Sequence, residues 1–156
     1  MEERPKIPPK GKLLGIDFGT VRIGIAICDP DRIIASPYEI LVRKSEAKDL
    51  KYLANLAQQE RIVGFVLGLP LHLNGDLSEK AQEAIHFGDL LAKETSLPVE
   101  YMDERFTSVE AEHFLLEAGL TRKKRKERID KVAAQILLSV YLERGGIGTT
   151  VFESLD

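Results

Sequence analysis

A chain of 156 residues has room for one compact domain and is too short for two domains of ordinary size. Its composition, 44% hydrophobic and 30% charged, is typical of a soluble globular protein, and no apolar run approaches the roughly 20 residues of a membrane span. The net charge of −3 gives no general attraction to nucleic acid, so such affinity requires a local basic patch. Cys28 has no second cysteine to pair with, and residues 1–12 lack an apolar signal core, which together predict a cytoplasmic protein.

The first part of the chain predicts an arm and three strands. Residues 1–12 contain three prolines and predict a flexible arm. The apolar runs Leu13–Asp17 and Ile23–Cys28 predict two strands joined by the hairpin turn FGTVR. A third strand is expected over Ile33–Ile40, and Pro37 favours an edge position because proline cannot donate to a central ladder.

Helices and strands alternate over the rest of the chain, as apolar spacing and helix-capping residues indicate. The predicted segments are a helix over about 45–60, a strand over 62–67, a helix over 78–96, a strand over 99–103, helices over 107–118 and about 127–143, and a loose tail over 144–156. This order predicts an α/β domain over residues 13–143. Its mixed five-stranded sheet has three antiparallel and then two parallel strands, with helices on both faces.

Three acidic residues interrupt the patterns around them. Asp17 ends the first strand, Glu104 (beside Asp103) follows the last strand, and Asp130 shares a helix face with small and apolar residues. Asp17 and Glu104 fall at the ends of parallel strands, where open α/β sheets place their sites. Each acid also has a structural explanation, as a turn cap or as the partner of a nearby arginine or lysine, but the three together favour a functional site.

Carboxylates that converge in this way are suited to a divalent cation. Mg²⁺ prefers hard oxygen ligands from a few carboxylates, with water and substrate phosphate completing its coordination. Two such ions about 3.5–4 Å apart can activate a water and stabilise the leaving oxygen of a phosphodiester. The three histidines, His72, His86 and His113, have no ligand spacing, so a zinc site is not expected.

The densest charge is the segment RKKRKER, residues 122–128, with six lysines and arginines in seven positions. Charge runs are most often solvated surface. This one leads directly into the helix that carries Asp130, and cations that hold phosphates beside acids that hold a metal suit a polyanion. We therefore favour nucleic-acid contacts at five basic positions: Arg22, Arg105, Lys123, Lys124 and Arg125. The segment GLPLHLNGD, residues 68–76, is a further candidate substrate loop.

Four segments resemble the YqgF family, also called RuvX-like, of RNase H-like nucleases related to the Holliday junction resolvases. They are GIDFGTVRIGIAICDP (15–30), GLPLHLNGDLSEKAQ (68–82), DERFTS (103–108) and IDKVAAQILLSVYL (129–142). They occur in family order across nearly the whole predicted domain. DERFTS with IDKVAAQ at this spacing is specific, whereas GIDFGT alone is weak. Val21 and Cys28 depart from the family's common lysine and serine, and Val21 puts one phosphate contact in doubt.

The resemblance implies an RNase H-like fold and a nuclease site that uses a divalent metal, Mg²⁺ or Mn²⁺. Asp17, Glu104 and Asp130 fall on the family's three acidic positions, so they are the expected catalytic residues and metal ligands. The implied activity is processing of the 5′ end of precursor small-subunit ribosomal RNA in bacteria. We expect RNA or structured DNA as the partner, no membrane association, and a monomer or weak homodimer.

Three other functions stay open on the sequence. Four-way DNA junctions are the alternative substrate, because phosphate contacts carry no base information. GIDFGT also resembles the first phosphate loop of actin-like ATPases and sugar kinases, but those proteins enclose a nucleotide between two domains and this chain has room for one. A non-catalytic nucleic-acid-binding module is the third, and the presence of all three acids favours an enzyme over it.

Overall fold

The computed structural model describes residues 6–70, 77–104 and 121–145, except for the side chains of residues 122–131. This part contains five strands and three helices. In chain order they are β1 (Lys12–Phe18), β2 (Arg22–Cys28), β3 (Ala35–Val42), α1 (Glu46–Gln59), β4 (Ile62–Leu69), α2 (Glu79–Thr95), β5 (Val99–Asp103) and α3 (Arg122–Glu143). None of these helices is long and apolar enough to cross a membrane. The predicted helix over 107–118 lies outside the described residues.

The strands form one mixed sheet in the order β3-β2-β1-β4-β5. β1, β2 and β3 pair antiparallel, and β4 and β5 add to β1 in parallel, which confirms the predicted sheet. β3 is an edge strand, as Pro37 predicts, and the register shifts by one residue close to this proline. The carboxyl ends of β1, β4 and β5 therefore lie together at one edge of the sheet.

Helices cover both faces of the sheet, again as predicted. On one face α1 and α2 bury a core that includes Ile16, Leu53 and Phe87. Each of these helices begins at a serine cap: Ser45 accepts from the Lys48 N–H and Ser78 from the Ala81 N–H. On the other face α3 buries a second core.

α3 approaches the sheet closely because glycines lie beneath it. A Cβ placed on Gly15 would lie 2.9 Å from Leu138 Cβ and 3.0 Å from the Ala134 carbonyl oxygen. A Cβ on Gly24 would lie 3.6 Å from Ala134 Cβ. The small residues of the sheet and the helix thus let the α3 backbone pass directly over β1 and β2, beside Asp17.

β3 and β4 each end two residues later than predicted, at Val42 and Leu69, and the starts of two elements differ by two or more residues. β3 begins at Ala35 rather than at residue 33, because the Asp29 carboxylate accepts hydrogen bonds from the N–H groups of Ile33 (2.8 Å) and Ile34 (2.6 Å) and holds both in a turn. α3 begins at Arg122 rather than near residue 127, so the basic run is the first part of the helix and not a connecting loop. Lysine and arginine are good helix formers, which accounts for the extension.

The inward face of α2 is formed by five buried residues: Ala81, Ala84, Phe87, Gly88 and Leu91. Ile85 and Leu90 are partly buried against the same core. Within the predicted arm, Ile7 packs against the second core. The limits of the domain stay a prediction.

Candidate active site

Asp17 lies near the carboxyl end of β1, paired with Gly24 of β2. Side chains alternate along a strand, and Ile16 faces the core under α1 and α2, so Asp17 faces α3. Its Cβ would lie 3.5 Å from a Cβ placed on Gly24. A partly buried acid thus occupies a narrow space between the sheet and the third helix.

Glu104 follows β5 directly, and Asp103, which ends β5, pairs with Leu69 of β4. The Glu104 side chain lies over Gly68, where a Cβ would overlap its carboxyl group and lie 2.8 Å from its Cγ. Any side chain at position 68 would therefore displace the acid. Gly68 leaves the space that lets Glu104 reach toward β1.

The two carboxyl groups are in contact. Burial, the Asp17 charge, a side-chain hydrogen bond to Asp17 and the Asp103 charge together raise the pKa of Glu104 to about 8, and burial contributes most. The Lys80 ammonium, in the first turn of α2, acts in the opposite direction on the same pKa. Two carboxyl groups at hydrogen-bond distance are stable only when they share a proton or bind a cation.

The turn after Asp17 is closed by other groups. The Gly19 N–H donates to the Arg22 carbonyl at 2.9 Å, and the Arg43 N–H donates to the Val21 carbonyl at 2.9 Å. This backbone bonding gives the turn its closure, while the Asp17 carboxylate meets Glu104 instead. The contact favours a functional explanation of Asp17 over the turn-cap explanation.

The remaining predicted site residues are only partly described. Arg22 is exposed at the start of β2, two residues before Gly24 and therefore on the same face of the sheet as Asp17. Asp130 belongs to α3, one helical turn before Ala134, and its side chain lies outside the described part, as do those of residues 123–125. Arg105 lies outside it altogether. Within the described side chains, no three potential metal ligands form a cluster.

Sequence reasoning did not single out two residues of this region. Gly68 belongs to a segment assigned to a substrate loop, and only the close approach of Glu104 explains its identity. Lys80 lies in the first turn of a helix whose cap, Ser78, donates from its hydroxyl to the Pro70 carbonyl at the end of β4. That bond ties the start of α2 to the strand end beside the acids, which no sequence pattern indicates.

Two other residues are structural here. Cys28 is buried, burial raises the pKa of its thiol, and its sulfur accepts a hydrogen bond from the Leu13 N–H at 3.3 Å. His86 lies on α2 with its Nε2 3.2 Å from a Glu46 carboxylate oxygen. Cys28 lies at the other end of β2 from Gly24, the residue that pairs with Asp17, and His86 lies on a helix that covers the opposite face of the sheet. His72 and His113 lie outside the described residues.

The sheet order and the helices on both faces define an RNase H-like fold. A family model described as "RuvX: Holliday junction resolvase" matches residues 11–144, and the chain belongs to this family. It is accordingly a nuclease, a hydrolase that acts on phosphodiester bonds. The resemblance seen in the sequence is confirmed.

Two curated relatives illustrate the match. The chain is 48% identical over 136 residues to a Rhodopirellula baltica protein, a match that covers 87% of this chain and 79% of the relative. It is 46% identical over 137 residues to a Syntrophomonas wolfei protein, covering 88% of this chain and 97% of the relative. Both are named "Putative pre-16S rRNA nuclease".

Solved structures of Thermus thermophilus RuvC share the fold. RuvC alone superposes with a TM-score of 0.54 at 13% identity, covering 87% of this chain and 98% of RuvC. RuvC "in complex with Holliday junction substrate" superposes with a TM-score of 0.53 at 15% identity, covering 86% of this chain and 96% of RuvC. At these identities the likeness establishes the fold alone.

Proposed function

We propose that this nuclease depends on a divalent metal and processes the 5′ end of precursor 16S ribosomal RNA in the bacterial cytoplasm. The observation that carries the chemistry is the contact between the carboxyl groups of Asp17 and Glu104 on the α3 face of the sheet. The RNA substrate is supported by the names of relatives that are 46–48% identical over most of the chain.

The acid pair fits a hard divalent cation. Its donor atoms are all carboxylate oxygens, which suits Mg²⁺ or Mn²⁺ and not zinc. The raised pKa of Glu104 shows that the pair is unfavourable when both groups are ionised, and a cation between them would remove that penalty. We assign Asp17 and Glu104 as ligands, and Asp130 as the third.

The positions of Asp17 and Glu104 support their roles as ligands. Asp17, on a central strand, offers an oxygen fixed by the sheet, and Glu104 reaches the same point across Gly68. When bound, the metal supplies an activated water and neutralises charge on the phosphate. The protein holds the ligands in place, and the close packing of α3 on β1 and β2 keeps the site narrow.

Basic residues are assigned to the phosphate backbone. Arg22 is exposed on the face that carries Asp17, which supports a contact with a phosphate next to the cleaved bond. We assign phosphate contacts also to Arg105, and to Lys123, Lys124 and Arg125 at the start of α3. Because such contacts are electrostatic, binding should weaken steeply as salt rises.

A four-way DNA junction is the second candidate substrate. The description of the matching family favours it, and the chain shares the RuvC fold over most of its length. A non-catalytic module is disfavoured, because two carboxyl groups pressed together beneath a helix reduce stability and serve no purpose without a cation.

One experiment separates these alternatives. The purified protein is incubated with end-labelled precursor 16S RNA, an unstructured RNA and a four-way DNA junction, each with Mg²⁺, Mn²⁺ or EDTA. The proposal predicts that the precursor RNA is cut with either metal and that EDTA stops the reaction. Preferential cutting of the junction would show that the substrate is DNA and not precursor RNA. Cutting in EDTA would refute the dependence on a divalent metal.

The control is a variant that keeps the fold but lacks one ligand. Glu104→Gln retains the shape of the side chain and its contact with Asp17, so activity that persists in this variant comes from a contaminating nuclease or from another site. Cleavage by Glu104→Gln at the wild-type rate would therefore show that the measured activity does not depend on the acid pair. Size-exclusion chromatography of the same preparation tests the predicted monomer or weak homodimer.

A further inference from the structure

The turn that follows Asp17 is held by a side chain on the face of the sheet opposite to the Asp17 carboxylate. β1 ends at Phe18, and β2 begins at Arg22. Gly19 permits the tight return between them, because a Cβ there would lie 2.5 Å from the Arg22 carbonyl oxygen. A short turn of this kind sets the position of Asp17, two residues before Gly19.

Arg43, just beyond the end of β3, makes three contacts with this turn. Its N–H donates to the Val21 carbonyl at 2.9 Å, and its Nη1 donates to the Gly19 carbonyl at 3.4 Å. Its guanidinium carbon lies 4.5 Å from the centre of the Phe18 ring, over the ring face. Phe18 in turn packs on Phe87 of α2, with ring centres 4.6 Å apart.

The guanidinium is held in turn by a buried acid. The Asp49 side chain is 2% exposed and accepts from Arg43 Nε at 3.2 Å and from the Lys44 N–H at 3.1 Å. Asp49 lies in the first turn of α1, and its N–H donates to the backbone carbonyl of the capping residue Ser45 at 2.8 Å. The Arg43 side chain thus links Asp49, at the start of α1, to the turn after β1.

Such a pair is weak evidence for stability, because an apolar replacement of similar volume often packs as well as a buried ion pair. It does fix geometry, since the planar guanidinium binds several partners in one orientation. Asp17 and Phe18 point to opposite faces of the sheet, so Arg43 acts on the face away from the carboxylates. It contacts the turn and does not contact the acid pair.

We propose that Arg43 and Asp49 form a positioning pair that fixes Asp17 for metal binding. The inference rests on the proposed function and extends it to residues that never touch the metal or the RNA. Residues that hydrogen-bond directly to metal ligands typically alter metal affinity or activity about 10- to 100-fold when they are replaced, and Arg43 would act on Asp17 through the turn between them.

The test compares Arg43→Gln, Arg43→Lys and Asp49→Asn with the wild type. Two quantities are measured: the Mg²⁺ concentration that gives half of the thermal stabilisation in the absence of RNA, and kcat and KM for the RNA that the wild type cuts. We expect Arg43→Gln and Asp49→Asn to raise the Mg²⁺ midpoint and lower kcat, each about 10- to 100-fold, with KM unchanged. Arg43→Lys keeps the charge but not the planar, forked guanidinium group, so its changes in Mg²⁺ midpoint and kcat should be smaller.

Asp29→Asn is the matched control, because it weakens the turn at the other end of β2, where the Asp29 carboxylate accepts from Ile33 and Ile34. It should lower the melting temperature and leave the Mg²⁺ midpoint and kcat unchanged. Arg43 variants that behave like this control would overturn the proposal, as would a higher KM with kcat unchanged, which marks a direct RNA contact.

The two proposals fail in different ways. A wild type that shows a Mg²⁺-dependent melting shift but does not cut the precursor RNA defeats the proposed RNA processing, while loss of that shift in Arg43→Gln still supports the positioning pair. A wild type with no Mg²⁺ shift at all overturns both. Should Arg43→Gln fail to fold, the comparison of Arg43→Lys with Asp29→Asn gives the same decision.

Discussion

Replacing Glu104 with glutamine should make the metal-free protein more stable. The Glu104 carboxyl group lies over Gly68 in hydrogen-bond contact with Asp17, and burial together with the neighbouring charges raises its pKa from 4.5 to about 8. Glutamine fills the same space and can donate a hydrogen bond to the Asp17 carboxylate, but it has no proton to lose. The variant therefore removes a repulsion and keeps the packing.

The sign follows from proton binding. Because the pKa is higher in the folded protein than in the unfolded chain, the folded state binds more protons between pH 4.5 and pH 8, and stability falls as the pH rises through this range. Each pKa unit corresponds to about 1.4 kcal/mol. At pH 7 the wild type is therefore expected to be less stable than Glu104→Gln by up to about 3 kcal/mol, with no difference below the unfolded-state pKa.

Urea unfolding in EDTA from pH 5 to pH 8.5 measures this difference, with the exposed Glu83→Gln on α2 as the control. The gap between Glu104→Gln and the wild type should widen with pH, while Glu83→Gln follows the wild type. Saturating Mg²⁺ should stabilise the wild type by about 2.7 kcal/mol at 100 times its Kd and leave Glu104→Gln nearly unaffected. Parallel pH profiles of Glu104→Gln and the wild type would refute the repulsive pair.

Three further outcomes are expected. Gly68→Ala should reduce cleavage with the fold intact, because its methyl group displaces the Glu104 carboxyl group. Gly15→Ala should instead destabilise the protein by about 1–3 kcal/mol, because its methyl group meets the α3 backbone. Cleavage assays measure the first effect, and thermal melts measure the second. Neutralising residues 123–125 should weaken RNA binding and flatten its salt dependence, and an unchanged salt slope would mark them as solvated surface. Activity lost in EDTA should return with Mg²⁺ or Mn²⁺ but not with Zn²⁺, and efficient rescue by zinc would contradict an all-oxygen ligand set.

The parts of the fold set by local chemistry could be predicted from the sequence. Buried apolar runs indicated β1, β2, β4 and β5, serine caps indicated the starts of α1 and α2, and Pro37 placed β3 at an edge. The order of elements then implied the mixed sheet. The bounds of β3 and α3 were less accurate, because a side-chain turn at Asp29 and a helical basic run compete with simpler patterns.

The site could be predicted only in part for a similar reason. Asp17 and Glu104 interrupt apolar strands, and the parallel strand ends bring them together, so their contact follows from pattern and topology. Gly68 leaves no signal, since its role is the space that it does not fill. The link between Arg43 and Asp49 crosses from the end of a strand to a helix six residues later, with no periodicity to mark it.

The most direct test of the proposed function is the cleavage rate of Asp17→Asn on precursor 16S RNA in saturating Mg²⁺. Asparagine keeps the shape of the side chain and its capacity to accept hydrogen bonds, but it is a neutral and much weaker ligand for a hard cation. The metal-site account predicts cleavage at the level of the buffer, from a protein whose metal-free melting temperature is equal to or above that of the wild type. An Asp17→Asn protein that melts lower and still cuts the RNA would contradict the account, because Asp17 would then be a structural residue of its turn.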